Sequence, residues 1–432
     1  MAKVGEDVKL AICGGPKCVT ADPTDRWAMI PAGEVKAAIG ALLEEGKITI
    51  ADGSGVVGEF EEGFKALVGT RYALAMNSGT ATLHSAYFAA GVSPGTEVLA
   101  PSYTWHASIT PILHCSATPV FCDIEPDTLT IDPRDMERKI TPKTRAVCVV
   151  HVWGNVADMD RIMALARKHK LAVIEDASHA HGAKYKGRPV GGIGDIGCFS
   201  LQGVKAVSGG EAGVATTNDP VLFDRMVLLG HFGRGPKRQG AGTFDSIGDM
   251  SLGAKYRPHP FAIALANCQL KRLTELNRLR ARNYAVLNEL LRDVPGIETF
   301  EPRPGCERGG YLEFKFGVAR EIADQAPLEK IEAALQAEGA PVQKDRYSSF
   351  NYTYGLLHTA PLFTTFDRAS LGGCFYDPKS YTGKPVTPVK LPVTEDVCTR
   401  LLGTYAFADV SPEYLKQIGN AFRKVMTHLE QV

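Results

Sequence analysis

Three consecutive segments indicate the architecture of this chain: Ala146-Val-Cys-Val-Val-His-Val152, Asp158-Met-Asp-Arg-Ile-Met-Ala-Leu-Ala-Arg-Lys-His169 and Leu171-Ala-Val-Ile-Glu-Asp176. The first and third are short apolar runs, which are typical of buried strands. The middle segment repeats its apolar residues at helical spacing. A strand–helix–strand unit of this length predicts two parallel strands joined by a covering helix.

The same rhythm extends over about the first 230 residues. Its further predicted strands are Tyr72–Met76, Glu97–Ala100 and Thr118–Asp123. Its further predicted helices are Glu34–Glu45, Glu59–Leu67, Ala81–Ala90 and Ile109–His114. We therefore expect an α/β fold in which a mostly parallel sheet is covered by helices.

The pattern changes after residue 255, where long helices and isolated strands replace the regular alternation. The predicted elements there are Phe261–Leu291, one or two helices, the strand Tyr311–Phe316, and the helices Leu328–Glu338 and Glu413–Glu430. We predict a large domain over residues 1–280, with residues 1–30 as an N-terminal arm, and a smaller C-terminal α+β domain over residues 281–432. The aromatic, weakly periodic region Tyr347–Gly383 is predicted to be a long functional loop.

The composition excludes several classes of protein. The chain has 432 residues and a mass of 46.5 kDa, enough for two or three domains. Lys and Arg number 48, as do Asp and Glu, and a net charge of zero argues against a nucleic-acid-binding protein. The longest apolar runs fall far short of the roughly 18–20 residues that a membrane span needs.

Cysteine usage and the first residues predict a cytoplasmic protein. The ten cysteines contain no Cys-x-x-Cys pair and are too sparse for a disulfide framework, so we interpret most of them as buried thiols. A metal site is not expected. The segment Met1–Lys9 is polar and of mixed charge, unlike a secretory signal.

Two loops that follow predicted strands carry groups for a charged ligand. Asn77-Ser-Gly-Thr80 precedes a helix and is either an anion site made by backbone N–H groups or an ordinary helix cap. Asp176 ends a buried strand, where a carboxylate needs a cation, a metal or a protonated ring nitrogen as its partner. His179 and His181 follow, and either ligate a metal with Asp176 or form a satisfied loop pair.

Two further residues have the character of site residues. Lys205 lies among apolar residues and Gly-rich turns in a strand–turn–strand pattern, and it is either solvated or aimed into a cleft. A desolvated lysine has a lowered pKa and becomes a nucleophile toward carbonyls. Trp105, in Ser102-Tyr-Thr-Trp-His106, is either a core residue or a platform for a flat ligand.

Together these groups are the parts that a pyridoxal phosphate (PLP) site requires. Lys205 would bind the cofactor aldehyde and carry a proton, Asp176 would keep the pyridine nitrogen protonated, and Trp105 would stack on the ring. The residues that would hold the phosphate are Ser78, Gly79, Thr80 and Ser200.

Six motifs stand in order along the chain: Ser54-Gly-x-x-Gly-Glu-Phe-Glu61, Asn77-Ser-Gly-Thr-Ala81, Pro101-Ser-Tyr-Thr-Trp105, Val150-His-Val-Trp-Gly154, Glu175-Asp-Ala-Ser-His-Ala-His-Gly182 and Phe199-Ser-Leu-Gln-Gly-Val-Lys205. They resemble the motifs of the DegT/StrS family of PLP-dependent sugar and cyclitol aminotransferases, which have PLP fold type I. The resemblance covers nearly the whole chain. It implies that Lys205 is the Schiff-base lysine, that Asp176 pairs with the pyridine nitrogen and that His179 contacts the cofactor hydroxyl.

One motif departs from the family pattern. The family usually has Gly-Tyr-Asn-Tyr-Arg, whose Asn reaches the phosphate of the neighbouring subunit's PLP, whereas this chain has Gly253-Ala-Lys-Tyr-Arg257. Lys255 takes the Asn position and either pairs with that phosphate as a point charge or marks a different substrate subgroup. The resemblance thus implies a homodimer with shared active sites.

The resemblance also implies a reaction. An amino group would move from glutamine or glutamate to a keto-cyclitol or keto-sugar by a ping-pong mechanism, as in aminocyclitol antibiotic biosynthesis. Ile12-Cys-Gly-Gly-Pro16 is more similar to the cyclitol members, and Lys205 argues against the family's dehydratases, which have histidine there. Another PLP reaction, of a dehydratase, lyase or aromatising synthase, is the alternative. A non-catalytic PLP-binding regulator is a third hypothesis.

Overall fold

The computed structural model describes residues 8–23, 30–234, 246, 250–349, 356–364 and 389–432, so most of the predicted loop region Tyr347–Gly383 lies outside the described residues. The strands of the described residues are β1 (Tyr72–Met76), β2 (Glu97–Pro101), β3 (Thr118–Cys122), β4 (Thr144–Val150), β5 (Ala172–Asp176), β6 (Lys184–Tyr185), β7 (Arg188–Pro189), β8 (Ile196–Ser200), β9 (Gly213–Thr217), β10 (Ile297–Thr299), β11 (Cys306–Glu307), β12 (Glu313–Val318), β13 (Val342–Lys344) and β14 (Leu401–Tyr405).

The helices of the same residues are α1 (Ala32–Glu44), α2 (Gly55–Val68), α3 (Gly79–Ala89), α4 (Thr110–His114), α5 (Pro133–Lys139), α6 (Met159–His169), α7 (Pro220–Gly230), α8 (Pro260–Leu270), α9 (Leu273–Leu291), α10 (Arg320–Ala323), α11 (Leu328–Ala337), α12 (Arg346–Ser349), α13 (Pro361–Thr364), α14 (Pro392–Val397) and α15 (Pro412–Met426). Asp158 caps α6 by accepting a hydrogen bond from the N–H of Arg161, as the preference for Asp at this position predicts.

The large sheet has the strand order β1-β9-β8-β5-β4-β2-β3. All of its strands are parallel except β9, which is antiparallel to both of its neighbours. Alternate residues of β1 enter different cores: Leu74 and Met76 pack with α3, α4 and α7, while Ala73 and Ala75 pack with α2, α6 and α8. The predicted α/β fold with a mostly parallel, helix-covered sheet is confirmed.

The C-terminal part has its own antiparallel sheet, in the order β10-β12-β14-β13, packed against α9, α11 and α15. Leu10 and Val19 of the N-terminal segment lie in this core, and buried Glu338 accepts the N–H of Ala11 at 2.7 Å. Residue 280 falls inside α9, and the division into domains stays a prediction. A third, small sheet is ordered β11-β6-β7. None of the described helices is long and apolar enough to cross a membrane.

Candidate active site

A cavity of about 400 Å³ lies where the carboxyl ends of the parallel strands meet, the usual position of a site in such sheets. Its lining includes eight of the predicted site residues: Ser78, Gly79, Thr80, Trp105, Asp176, His179, Ser200 and Lys205. Exposed Lys255 is not part of this lining. Its predicted role concerns a neighbouring subunit and stays a prediction.

One end of the cavity is formed by the start of α3. The side chain of Ser78 caps the helix and accepts the N–H of Ala81 at 3.1 Å, so the capping alternative is realised. Backbone N–H groups in the first turn of a helix lack partners within the helix and attract anions. A Cβ added at Gly79 would lie only 2.6 Å from Cβ of Ser200, so the close approach between the start of α3 and the end of β8 requires glycine.

The two carboxylates at the end of β5 have different surroundings, because side chains alternate along a strand. Asp176 lines the cavity, where its Oδ2 accepts a 2.7 Å hydrogen bond from Oγ of Ser108 and its Oδ1 accepts the N–H of Ser178 at 3.1 Å. Glu175 is fully buried and accepts three backbone N–H groups from residues 191–194. Asp176 is thus available to a ligand, whereas Glu175 organises a loop.

Lys205 lies in the loop between β8 and β9, with its N–H donated to the carbonyl of Gln202 at 2.8 Å. Burial of the ammonium lowers the pKa of Lys205 from 10.5 to about 8. The nearby charge of Asp176 opposes this shift, and the guanidinium of Arg346 adds to it. The amine can therefore gain and lose a proton near neutral pH, which an ordinary lysine cannot do.

The lowered pKa predicts how the free amine of Lys205 reacts. In the cofactor-free chain, its rate of acetylation should rise with pH through a midpoint of about 8, because the neutral amine is the nucleophile. The rate is measured by brief treatment with acetic anhydride at a series of pH values, followed by peptide mass analysis. An acetylation midpoint near 10.5 would contradict the burial that the structure shows.

Three stacked rings form one wall behind the cavity. Trp153 stacks on both His179 and Tyr347, with centroid distances of 5.0 and 4.7 Å, and these two rings lie 5.9 Å from each other. Burial and the nearby charge of Lys205 lower the pKa of His179 well below its usual value, so the ring is neutral. Nδ1 of His179 accepts the N–H of Trp153, and Nε2 therefore carries the proton and donates to the hydroxyl of Tyr347 at 2.9 Å.

This wall bears on two predicted roles. Both ring nitrogens of His179 are engaged, so its predicted contact with a cofactor hydroxyl stays a prediction. Its hydrogen bond leaves the hydroxyl proton of Tyr347 available to a ligand in the cavity. Trp105 also lines the cavity and is 37% exposed, which suits a platform better than a core residue.

The buried ammonium group of Lys315 packs against the Trp153 ring of this wall. Nζ of Lys315 lies 2.7 Å from the carboxylates of both Glu313 and Asp345, and 4.0 Å from the centre of the Trp153 ring. Burial acts against the charge of this ammonium, but the two carboxylates raise its pKa above the usual value. The charge thus remains in place next to the ring, an arrangement that cation–π attraction favours.

We expect Lys315→Met to lower the free energy of unfolding by about 3–5 kcal/mol, because it leaves buried Asp345 without its cation and leaves Glu313 with Arg346 alone. Urea unfolding of the purified variant measures this loss. Lys416→Met, at an exposed position of α15, is the control and should leave the midpoint unchanged. Equal midpoints for the two variants would show that Lys315 does not contribute this stability.

Several cavity residues had no signal in the local sequence. Ser108 reaches Asp176 because a short 3-10 helix follows β2, and Thr104 holds the Ser108 hydroxyl at 2.8 Å. Arg346 comes from the segment after β13 and pairs with buried Glu313. The aromatic region that begins at Tyr347 was predicted to be a functional loop, but no role in the site was predicted for Tyr347 itself.

The metal alternative for the two histidines finds no support. His181 is fully buried and packs against the rings of Phe64 and Phe199, away from the cavity lining. Over the described ranges, no group of three or more His, Cys, Asp or Glu side chains is arranged to hold a metal ion.

The fold and this cavity are those of an aminotransferase. A model of the DegT/DnrJ/EryC1/StrS aminotransferase family matches residues 32–363. The chain belongs to this family. The family assignment, the fold type and the enzyme class inferred from the sequence are confirmed.

Individual relatives agree with the assignment. The chain is 33% identical over 434 residues to an L-glutamine:2-deoxy-scyllo-inosose aminotransferase of Streptomyces fradiae, with 97% of this chain and 98% of the relative covered. It is 34% identical to an L-glutamine:scyllo-inosose aminotransferase of Streptomyces griseus, with coverages of 77% and 79%. A crystal structure of DesI in the presence of its TDP-sugar product superposes with a TM-score of 0.76 at 27% identity, covering 97% and 96% of the two chains.

Proposed function

We propose that this protein uses PLP to transfer an amino group from L-glutamine to the ketone of a cyclitol. The observation that carries the proposal is the convergence of Lys205 and Asp176 on one cavity that begins at the start of α3. The two Streptomyces relatives described above are named as L-glutamine:inosose aminotransferases, which supports both substrates. Glutamate and keto-sugars are the competing donor and acceptor classes.

The residues of the cavity fit PLP. The first turn of α3 and the hydroxyl of Ser200 suit its phosphate, and the Gly79–Ser200 approach keeps that end narrow. Asp176 suits a protonated ring nitrogen, and Trp105 suits the flat face of the ring. When bound, PLP supplies an aldehyde that condenses with amines and a ring that withdraws electrons.

The side chains of the chain then have separate tasks. Nζ of Lys205 would hold the aldehyde end of the cofactor and would take and return a proton at that end, because its pKa of about 8 allows both states. Asp176 keeps a proton on the ring nitrogen. Arg346 presents a guanidinium to the same cavity, where it suits the α-carboxylate of the donor. Donor and acceptor use this cavity in turn, which predicts ping-pong kinetics.

The test separates the two half-reactions. L-Glutamine alone should convert the bound cofactor to its amine form, which is followed by its absorption spectrum. With 2-deoxy-scyllo-inosose or scyllo-inosose added, an aminocyclitol should form, detected by mass spectrometry, and a nucleotide-linked keto-sugar should react much more slowly. The absence of cofactor conversion by either glutamine or glutamate would favour the alternative PLP reactions.

We also propose a homodimer whose active sites are shared, with Lys255 reaching the partner's phosphate. The apolar side chains shortly before it are unusually exposed, 72% for Met250 and 61% for Leu252, as expected of a contact surface. The cytoplasmic location stays a prediction.

Mixed dimers test the shared site. Reassociating Lys205→Ala with Lys255→Ala chains should restore about a quarter of the wild-type activity, since half of the dimers then hold one intact site. Mixing Lys205→Ala with Asp176→Asn is the control and should restore nothing, because both residues belong to one chain's site. Equal results from the two mixtures would refute sharing through Lys255.

A further inference from the structure

The first turn of β12 carries two buried side chains of opposite charge, Glu313 and Lys315. They lie on the same face of the sheet, because alternate residues of a strand share a face, and each is only 1% exposed. Lys315 is opposite Gly403 of β14, where an added Cβ would lie 2.9 Å from Nζ of Lys315 and 3.2 Å from Oε2 of Glu313. The two charges are therefore packed in place against the backbone of β14.

Two further charged residues complete this cluster, so that two anions match two cations. Nζ of Lys315 is shared by Oε2 of Glu313 and Oδ1 of Asp345. The other oxygen of Glu313, Oε1, pairs with Nη2 of Arg346. Asp345 also accepts the hydroxyl of Tyr103 at 2.7 Å. Glu313 is thus the carboxylate that the structure pairs with Arg346.

Arg346 connects the cluster to the active-site cavity. Its side chain lines the cavity and is 33% exposed, whereas Glu313 lies covered behind it. A guanidinium has five N–H donors, so Arg346 can keep Glu313 and still bind the carboxylate of a ligand. Both charges act on the cavity, because the charge of Arg346 lowers the pKa of Lys205 and that of Glu313 raises it.

The two substrates of the proposed function make different demands on Arg346. The reacting carbon of glutamine carries a carboxylate, whereas the reacting carbon of a keto-cyclitol is bonded to two uncharged ring carbons. Because both carbons must reach the same end of the cofactor, an uncharged part of the ring takes the position of the carboxylate. A ring hydroxyl can accept a hydrogen bond from Arg346 but cannot neutralise it, and covering an unneutralised charge is costly.

We infer that Glu313 allows one cavity to accept both substrates, because it is the fixed counter-ion of Arg346 while the uncharged keto-cyclitol is bound. The inference rests on the proposed function and adds to it a residue that touches neither substrate. In the donor half-reaction, the α-carboxylate of glutamine joins Glu313 on the guanidinium. In the acceptor half-reaction, Glu313 alone neutralises it. Glu313 therefore determines specificity through Arg346.

Glu313→Gln, which keeps the shape of the side chain and removes its charge, should affect the two half-reactions differently. Loaded with pyridoxamine phosphate, the variant should need about tenfold more scyllo-inosose for its half-maximal rate, since the ring now covers an unpaired charge. Loaded with PLP, it should react with L-glutamine within about threefold of the wild type, because the substrate brings its own carboxylate. Single-turnover absorption changes measure both rates. Glu307→Gln, at an exposed position of β11, is the control and should change neither.

A second pair of variants tests whether the effect passes through Arg346. In Arg346→Met there is no guanidinium to neutralise, so adding Glu313→Gln should cause no further loss in the acceptor half-reaction. This pair also carries the test if Glu313→Gln alone does not fold. Equal losses in both half-reactions of Glu313→Gln, or a further acceptor loss in the double variant, would overturn the inference. A wild type that reacts with neither glutamine nor scyllo-inosose would instead refute the proposed function.

Discussion

We expect Lys205→Ala to lower the turnover number of the PLP-saturated enzyme by about four orders of magnitude, because in the proposed mechanism one amine would both hold the aldehyde and carry the proton. The pKa of about 8 lets Lys205 alternate between its two states at neutral pH. Arg346, the neighbouring cation of the cavity, carries a guanidinium and not an amine, so it cannot replace Lys205. Steady-state kinetics with glutamine and an inosose measure the loss.

Two variants and one chemical experiment control this result. Lys205→Arg retains a long cationic side chain but cannot give up its proton, so the loss should be as large as in Lys205→Ala. Lys186→Ala, an exposed lysine paired with Asp160, should retain wild-type turnover. Borohydride reduction of the wild type should attach the cofactor to the peptide that contains Lys205. Undiminished turnover in Lys205→Ala would show that this lysine is not the catalytic amine.

The part of the site that lies on the parallel sheet could be predicted from the sequence. Asp176 ends β5, whereas Trp105 follows β2 and Lys205 follows β8. The apolar runs of such strands are visible in the sequence, and β1 forms with the predicted bounds Tyr72–Met76. The carboxyl ends of parallel strands meet at one edge, so residues far apart in the chain had to converge there. This convergence can be predicted from the apolar patterns of the strands and from the rule that sites lie at the carboxyl ends of parallel strands.

The remaining part depends on packing between distant segments. Ser108 meets Asp176 across 68 positions through a 3-10 turn that no periodicity marks. Arg346 and Tyr347 follow β13, a three-residue strand too short to give an alternating pattern, and a separate sheet brings them to the cavity. The run Phe261–Leu291 was predicted to form one or two helices, and the structure has two, because α8 ends at Leu270 and α9 begins at Leu273.

Asp176→Asn should lower the turnover number by about two to three orders of magnitude, since it removes a fixed charge that the reaction uses while keeping the shape of the side chain. The amide oxygen can still accept the N–H of Ser178, and the NH2 group can donate to the hydroxyl oxygen of Ser108. Ser108→Ala is the matched control, because it removes one hydrogen bond and retains the charge, and it should cost only about tenfold. Steady-state kinetics of both variants, saturated with PLP, measure these losses.

A second measurement distinguishes the effect of the Asp176 charge from the structural effect of its hydrogen bonds. The charge of Asp176 raises the pKa of Lys205, so in Asp176→Asn the acetylation midpoint of the cofactor-free chain should fall below about 8. In Ser108→Ala the charge remains, and the midpoint should not move. If Asp176→Asn lowered the midpoint but left turnover unchanged, the carboxylate would act on the lysine alone. The role proposed for it at the ring nitrogen would then be wrong.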